Sequence, residues 1–233
     1  TTLLLQIMNH TACYSELSTP RVVRHRVLMF SLEMPHQQLV MCLLAQLSGI
    51  DYQALRAGRI PEDKYTEYYA ALDRLDSLDI IIDDSPAITP AYVSSTVKNH
   101  VADGGLDAIF LDSLNLMKPG IRIDHKFEVI EFCATELKNV ARENNIPVWV
   151  AHQMNRGIEY RGNESRPTLA DLREGGEQPA DVVMFIYHDR ADDKTINASS
   201  LIIAKQRNGP TGEIPIYFRA NAFRFESAAK ARL

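Results

Sequence analysis

The chain has 233 residues, 25 basic against 30 acidic side chains for a net charge of −5, and 45% hydrophobic residues. That mix and length fit one α/β domain that buries its own core, and they exclude a disordered chain. Apolar runs stop far short of the roughly 18 residues of a membrane span, and the start TTLLLQIMNH lacks the basic region of a secretory leader, so no membrane partner is expected.

The order of elements alternates short β-branched runs with longer helical periodicity, the pattern of βα units on a mostly parallel sheet. An apolar helix is expected over Thr2 to Leu17, then a buried strand over Val27 to Ser31. Pro35 suits a first helical position, Leu39, Leu43 and Leu47 recur on one face, and Gly49 ends that helix. A second helix runs from Pro61, with Tyr65, Tyr68 and Tyr69 read as core with outward hydroxyls, and Ile80 to Ile82 is a strand. Thr89-Pro90 reads as an N-cap followed by Pro at N1, opening a helix with Val93, Val97 and Val101 on one face. Ala108 to Leu111 is a strand, Lys126 to Asn144 a helix with Phe127, Ile130, Cys133, Leu137 and Val140 inward, and Pro147 to Ala151 a strand. Asn155 to Gln178 is polar and reads as loops. Strands over Val182 to Tyr187 and Leu201 to Ala204 precede a terminal hairpin of Ile214 to Phe218 and Phe223 to Phe225. Cys13, Cys42 and Cys133 are odd in number and form no CxxC, which points away from a disulfide framework or zinc site and toward a reducing, cytoplasmic setting.

In parallel α/β sheets, ligands bind beyond the carboxyl ends of the strands. Three strands deliver polar groups there: Ser31-Leu32-Glu33, Asp112-Ser113 and His152-Gln153. Asp112 closes an apolar run as a Walker B carboxylate does beside Mg²⁺; the bland reading is an N-cap or turn. Glu33 suits a general base on water, or a solvated acid at a helix start. Gln153 suits a γ-phosphate sensor or a surface residue, and His152 reads as structural, with no second histidine at ligand spacing. Lys205 and Arg207 lie two apart after a strand, so they share a side, as a phosphate would require. The acidic net charge does not mark a polyanion binder, yet a groove can be basic locally. Arg173 beside Gly175-Gly176 is a weak signal for a nucleic-acid backbone contact.

Taken in order, FSLEMP (30–35), FLDSLNLM (110–117), HQMNR (152–156), DLRE (171–174), EQPAD (177–181) and KQRNGP (205–210) resemble the C-terminal motor domain of DnaB-type replicative helicases, within the RecA-like P-loop ATPases, over nearly the whole chain. The resemblance implies one RecA-like domain over 1–233 that hydrolyses ATP with Mg²⁺ and moves 5′–3′ on single-stranded DNA as a homo-hexamer, with primase and a helicase loader as partners. Residue by residue, it implies Glu33 as the catalytic glutamate that activates the attacking water, Gln153 as the glutamine that couples the γ-phosphate to the DNA-binding loops, Thr1 and Asp112 at the metal, and Thr1, Thr2, Asp112, Gln153, Lys205 and Arg207 around the nucleotide. It implies Lys205 and Arg207 as a catalytic cationic pair reaching a neighbouring subunit's site, Arg207 being the arginine finger, and Arg173, Glu174 and Gly176 as the DNA-gripping loop.

The departures are specific. A GxxxxGK[ST] loop is not among these residues, and Thr1 aligns with the hydroxyl residue directly after that loop's lysine. These residues alone are therefore expected to bind nucleotide poorly. Ser113 and Asn115 stand where the family usually has Tyr and Gln, Gly176-Glu177 is about two residues short of the family pattern, and the family's N-terminal helical domain is not among these residues. Two other functions stay open: a RecA-like ATPase of recombination, and a non-enzymatic assembly subunit.

Overall fold

VLMFS and AIFLD are apolar almost throughout, and such runs are stable only as strands covered on both faces. In the computed structural model, which describes residues 1–15, 22–155, 166–172, 175–188 and 196–228, all ten of these residues are buried. The elements in chain order are α1 (Thr2–Ala12), β1 (Cys13–Ser15), β2 (Val22–Arg24), β3 (Val27–Ser31), α2 (His36–Ser48), α3 (Tyr52–Arg56), α4 (Tyr65–Asp76), β4 (Ile80–Asp83), α5 (Pro90–Ala102), β5 (Ala108–Asp112), α6 (Lys126–Asn144), β6 (Val148–Val150), β7 (Val182–His188), β8 (Ile196–Gln206), β9 (Gly212–Arg219) and β10 (Arg224–Ser227).

A parallel sheet of order β4-β3-β5-β6 forms the centre, with Ser31 paired to Asp112 at the carboxyl ends of β3 and β5. Alternation along β3 and β5 sends side chains to two cores. Val27, Met29, Ala108 and Phe110 pack with Leu5 and Met8 of α1, Leu39 and Leu43 of α2, and Ala71 of α4. Leu28, Phe30, Ile109 and Leu111 pack on the other side with Val93 and Val97 of α5 and Ile130, Cys133, Leu137 and Val140 of α6. Each fully buried leucine or isoleucine contributes about 1.5–3 kcal/mol relative to exposure.

The expected hairpin is the edge of a four-stranded antiparallel sheet of order β10-β9-β8-β7. Strand β8 runs well beyond the expected Leu201 to Ala204, because polar Ser199 and Ser200 are buried in the ladder and do not read as strand. This sheet is tied to the helical layer by Gln6 Nε2 to the Phe225 carbonyl at 2.8 Å and Gln46 Nε2 to the Phe223 carbonyl at 2.9 Å.

Several boundaries differ from expectation. Helix α1 stops at Ala12 rather than Leu17, where Cys13 leaves the helix to pair with Arg24 across β1 and β2; residues 16–21 lie outside the described set. Pro35 is the N-cap of α2 rather than its first residue, and the freed His36 N–H is taken by Asp84 Oδ2 at 2.9 Å. Helix α3 was not anticipated; its five residues are too few for a periodicity to show, and Asp51 caps it by accepting the Ala54 N–H at 2.9 Å. Tyr65 and Tyr69 are exposed and stacked on each other, while Tyr68 packs on the core. Phe127, in the first turn of α6, and Val101, in the last turn of α5, are exposed as well. Gly49 does end α2 in the left-handed conformation, and Thr89 caps α5 through the Tyr92 N–H. None of the described helices is long and apolar enough to cross a membrane.

Candidate functional site

Strands β3, β5 and β6 are neighbours, so the residues that follow them emerge side by side. The Leu32 N–H donates to the Asp112 carbonyl at 2.6 Å, and the Ala151 N–H to the Leu111 carbonyl at 2.8 Å, which carries the ladder to the strand ends. Glu33 is exposed just past β3. Its turn is shaped by Ser31 Oγ donating to the Met34 carbonyl at 2.6 Å. Its far side is held by His36, whose backbone N–H and ring Nδ1 both meet Asp84 Oδ2. Those two contacts keep the Asp84 carboxyl below its usual range, the backbone N–H first.

Asp112 is 2% exposed, and the Thr1 hydroxyl donates to its Oδ2. The start of α1 therefore lies against the carboxyl end of β5. Ser113 Oγ, next in the chain, is buried without a partner among the described residues. One buried carboxylate, one hydroxyl and an orphaned hydroxyl suit Mg²⁺, which takes few protein oxygens and keeps several waters. Among the described residues there is no group of three or more His, Cys, Asp or Glu that forms a cage for a metal. Thr2 stands apart from this pair: its carbonyl accepts from Gln46 Nε2 at 3.1 Å, in the helical layer.

Beside Asp112, Gln153 is exposed and its N–H donates to Asn115 Oδ1 at 2.9 Å. The same oxygen meets His152 Nδ1 at 2.8 Å, and His152 Nε2 meets the Gly175 carbonyl at 2.8 Å. Gly176, at φ +93°, donates its N–H to Glu131 Oε1 of α6 at 2.7 Å. That amide is therefore engaged within the chain. Arg173 and Glu174 lie outside the described residues.

The two cations form a second group. Lys205 Nζ donates to the carbonyls of Glu177 at 2.6 Å and Gln178 at 3.1 Å. Arg207 donates to the Gln178 carbonyl at 3.0 Å and to Asp181 Oδ1 at 3.2 Å. Lys138, which also pairs with Asp181, and then the charges of Arg207 and Lys205 hold the Asp181 carboxyl below its usual range. The structure thus brings Thr1, Glu33, Asp112 and Gln153 to one end of the parallel sheet. It holds Lys205 and Arg207 at the end of β8, against the 177–181 segment.

Sequence reasoning missed three groups that shape this region: Asn115, Glu131 and the His36–Asp84 pair. Asn115 carried a findable signal, lying three residues past Asp112 in the segment that follows a buried strand. Glu131 and Asp84 carried none, because each acts on a residue distant in sequence.

The model of the DnaB-like helicase C terminal domain family matches residues 1–227. The replicative DNA helicase DnaB of Buchnera aphidicola subsp. Schizaphis graminum is 38% identical over 211 residues, 86% of this chain and 44% of that protein. The replicative DNA helicase DnaC of Bacillus subtilis is 37% identical over 198 residues, 82% of this chain and 43% of that protein. This chain therefore spans less than half the length of these relatives. Among solved structures, a DnaB-like replicative helicase, whose structure was described with its interactions with primase, superposes with a TM-score of 0.80 at 28% identity, covering 87% of this chain and 50% of that one. A solved ATPase domain superposes equally well at 28% identity, covering 87% of this chain and 74% of that one.

Proposed function

The chain belongs to the DnaB-like helicase C-terminal domain family, and from that premise we propose that it is the ATP-hydrolysing motor region, a single RecA-like domain, of a cytoplasmic replicative DNA helicase. In this reading it works as a homo-hexamer that moves 5′–3′ along single-stranded DNA, with primase and a loader as partners. The observation that carries the reading is the meeting of Thr1, Glu33, Asp112 and Gln153 at the carboxyl ends of adjacent parallel strands. The similarity to replicative helicases supports it over a recombination ATPase and over a non-enzymatic assembly subunit.

In this reading each side chain takes one task. Thr1 Oγ1 and Asp112 hold Mg²⁺, which when bound neutralises phosphate charge. The Glu33 carboxylate, exposed past β3, takes a proton from the attacking water. Gln153 orients at the γ-phosphate. Lys205 and Arg207 stabilise developing phosphoryl charge in a neighbouring subunit. Arg173, Glu174 and Gly176 follow the DNA backbone.

The test uses the full-length protein. Glu33→Gln is expected to lower single-stranded-DNA-stimulated ATP hydrolysis by roughly 10²–10⁴-fold, the range a general base supplies, while a fluorescent ATP analogue still binds. Wild-type rates in that variant overturn the role of Glu33. A full-length protein that hydrolyses no ATP overturns the function.

A further inference from the structure

The exposed Glu33 side chain makes no hydrogen bond or ion pair with another described residue, so its backbone alone aims it. That backbone is the turn between β3 and α2, and the two ends of the turn are held differently. At the entry, Ser31 is buried, its Oγ donates to the Met34 carbonyl at 2.6 Å, and the Leu32 N–H donates to the Asp112 carbonyl at 2.6 Å. Leu32 packs on one core and Met34 on the other, which leaves Glu33 between them and outside both.

The exit has no such support from the core. Residues 35–38 are all exposed, and the first buried side chain of α2 is Leu39. Pro35, the N-cap, makes no side-chain hydrogen bond, and its ring carries no N–H. A helix start leaves its first N–H groups without partners inside the helix. Here the His36 N–H is answered from another strand: Asp84 Oδ2 accepts it at 2.9 Å and also meets the His36 ring Nδ1 at 2.8 Å.

Strand pairing brings Asp84 to that place. β4 runs parallel to β3 with Asp83 beside Phe30, so Asp84, one residue past its strand, comes level with Ser31 at the start of the turn. Its neighbour is committed elsewhere: Asp83 accepts the Ser85 N–H and the Tyr92 hydroxyl, both at 2.9 Å, and shapes the turn toward α5. Asp84 is the one of the two that crosses to α2. A carboxylate on an N–H at a helix start is charge-assisted and favoured by the helix dipole. The pair is exposed, so water moderates its strength, while the body of α2 stays seated through Leu39 and Leu43. Loss of Asp84 therefore loosens the turn and leaves the helix in place.

We propose that Asp84 is a positioning residue for ATP hydrolysis: by capping α2 from the neighbouring strand it fixes the exit of the Glu33 turn, and so the place of the carboxylate that takes the proton from water. It acts through Glu33 and not on the nucleotide. The proposal rests on the functional reading above, in which Glu33 is the general base.

The experiment measures ATP hydrolysis by the full-length protein for wild type, Asp84→Ala, Asp84→Asn, Glu33→Gln and the double variant Glu33→Gln/Asp84→Ala, the last two in single turnover. The kcat of Asp84→Ala is expected to fall about fivefold, the factor one net hydrogen bond carries. KM and the affinity for a fluorescent ATP analogue should stay within about twofold of wild type, a split that a general loss of packing would not produce. Asp84→Asn keeps an oxygen that can accept the His36 N–H and should recover most of the loss. In the Glu33→Gln background Asp84→Ala should cost nothing further, because the carboxylate it positions is already gone. Should Asp84→Ala not fold, Pro35→Ser gives α2 a hydroxyl cap of its own, and the loss is read in that background against Pro35→Ser alone. Wild-type kcat in Asp84→Ala, a loss in Asp84→Asn as large as in the alanine variant, or a further fivefold loss on top of Glu33→Gln overturns the proposal and leaves the functional reading standing. Wild-type rates in Glu33→Gln overturn the role of Glu33 and this proposal with it.

Discussion

His188 ends β7 as an exposed residue with its ring against aromatic neighbours: it stacks on Phe225 at 6.1 Å between centroids, lies 5.5 Å from Phe218, and meets Ser199 Oγ at 2.8 Å. Burial disfavours the imidazolium there and lowers its pKa from the ordinary 6.5. A histidine that is harder to protonate when folded binds more protons when unfolded. Its contribution to stability is therefore present above about pH 6.5 and is lost as pH falls below that value toward the depressed folded pKa. Urea unfolding of wild type and His188→Gln across pH 5 to 7.5 tests this. Wild type should lose stability on acidification more steeply than the variant, with equal m-values, so the two curves converge toward pH 5. Parallel curves would mean that the ring is as easily protonated folded as unfolded. The same burial rule is why the candidate site depends on Asp112, which is 2% exposed yet has the Thr1 hydroxyl as a partner.

At the scale of elements, the two faces of the parallel sheet carry separate cores, and each holds one buried cysteine: Cys42 on α2 and Cys133 on α6. Burial pushes both thiols up to about 11, so neither is a thiolate at neutral pH, whereas Cys13 at the end of α1 is partly exposed. Labelling with a chromogenic disulfide at pH 8 should release about one equivalent promptly and two more only as the layers open, and Cys42→Ser and Cys133→Ser assign each slow phase to its layer. Three prompt equivalents would mean that neither layer is closed. A smaller effect belongs to the turn after α2: Gly49→Ala, at φ +69°, should cost about 1 kcal/mol without touching the core. These elements also mark where the sequence was readable. VLMFS and AIFLD were legible because full burial demands continuous apolar runs, and α6 because nineteen residues repeat their period several times. Helix α3, the true length of β8 and the break after Ala12 were not legible. A single turn has no period, buried serines resemble loop residues, and strand pairing overrides a helical pattern only in three dimensions. Of the site, Asp112, Glu33 and Gln153 were legible as polar groups ending apolar strands, and Asn115 was findable from its place just past Asp112, while Glu131 and Asp84 gain their roles from chain segments far away.

For the whole molecule, the separation of the two cationic side chains from the strand-end carboxylates sets the question of assembly. Lys205 and Arg207 sit at the end of β8 in the antiparallel sheet, with their contacts directed to Glu177, Gln178 and Asp181, while Glu33 and Asp112 end strands of the parallel sheet. The Asp181 pair is about half exposed on both sides, so water screens it and little energy opposes its exchange for a phosphate. An Arg207 that serves the site of the next subunit must leave that pair when a ring closes, and its loss must then damage a site other than the one in its own chain. Full-length Arg207→Ala should keep nucleotide affinity within about twofold and lose at least about tenfold in hydrolysis, in line with charge stabilisation confined to the transition state. Mixed with wild type before assembly, it should depress the rate below the line for simple dilution, because each variant subunit silences a wild-type neighbour. A mixture that follows the dilution line would place Arg207 in service of its own chain, and the functional unit would then be a single subunit rather than a ring.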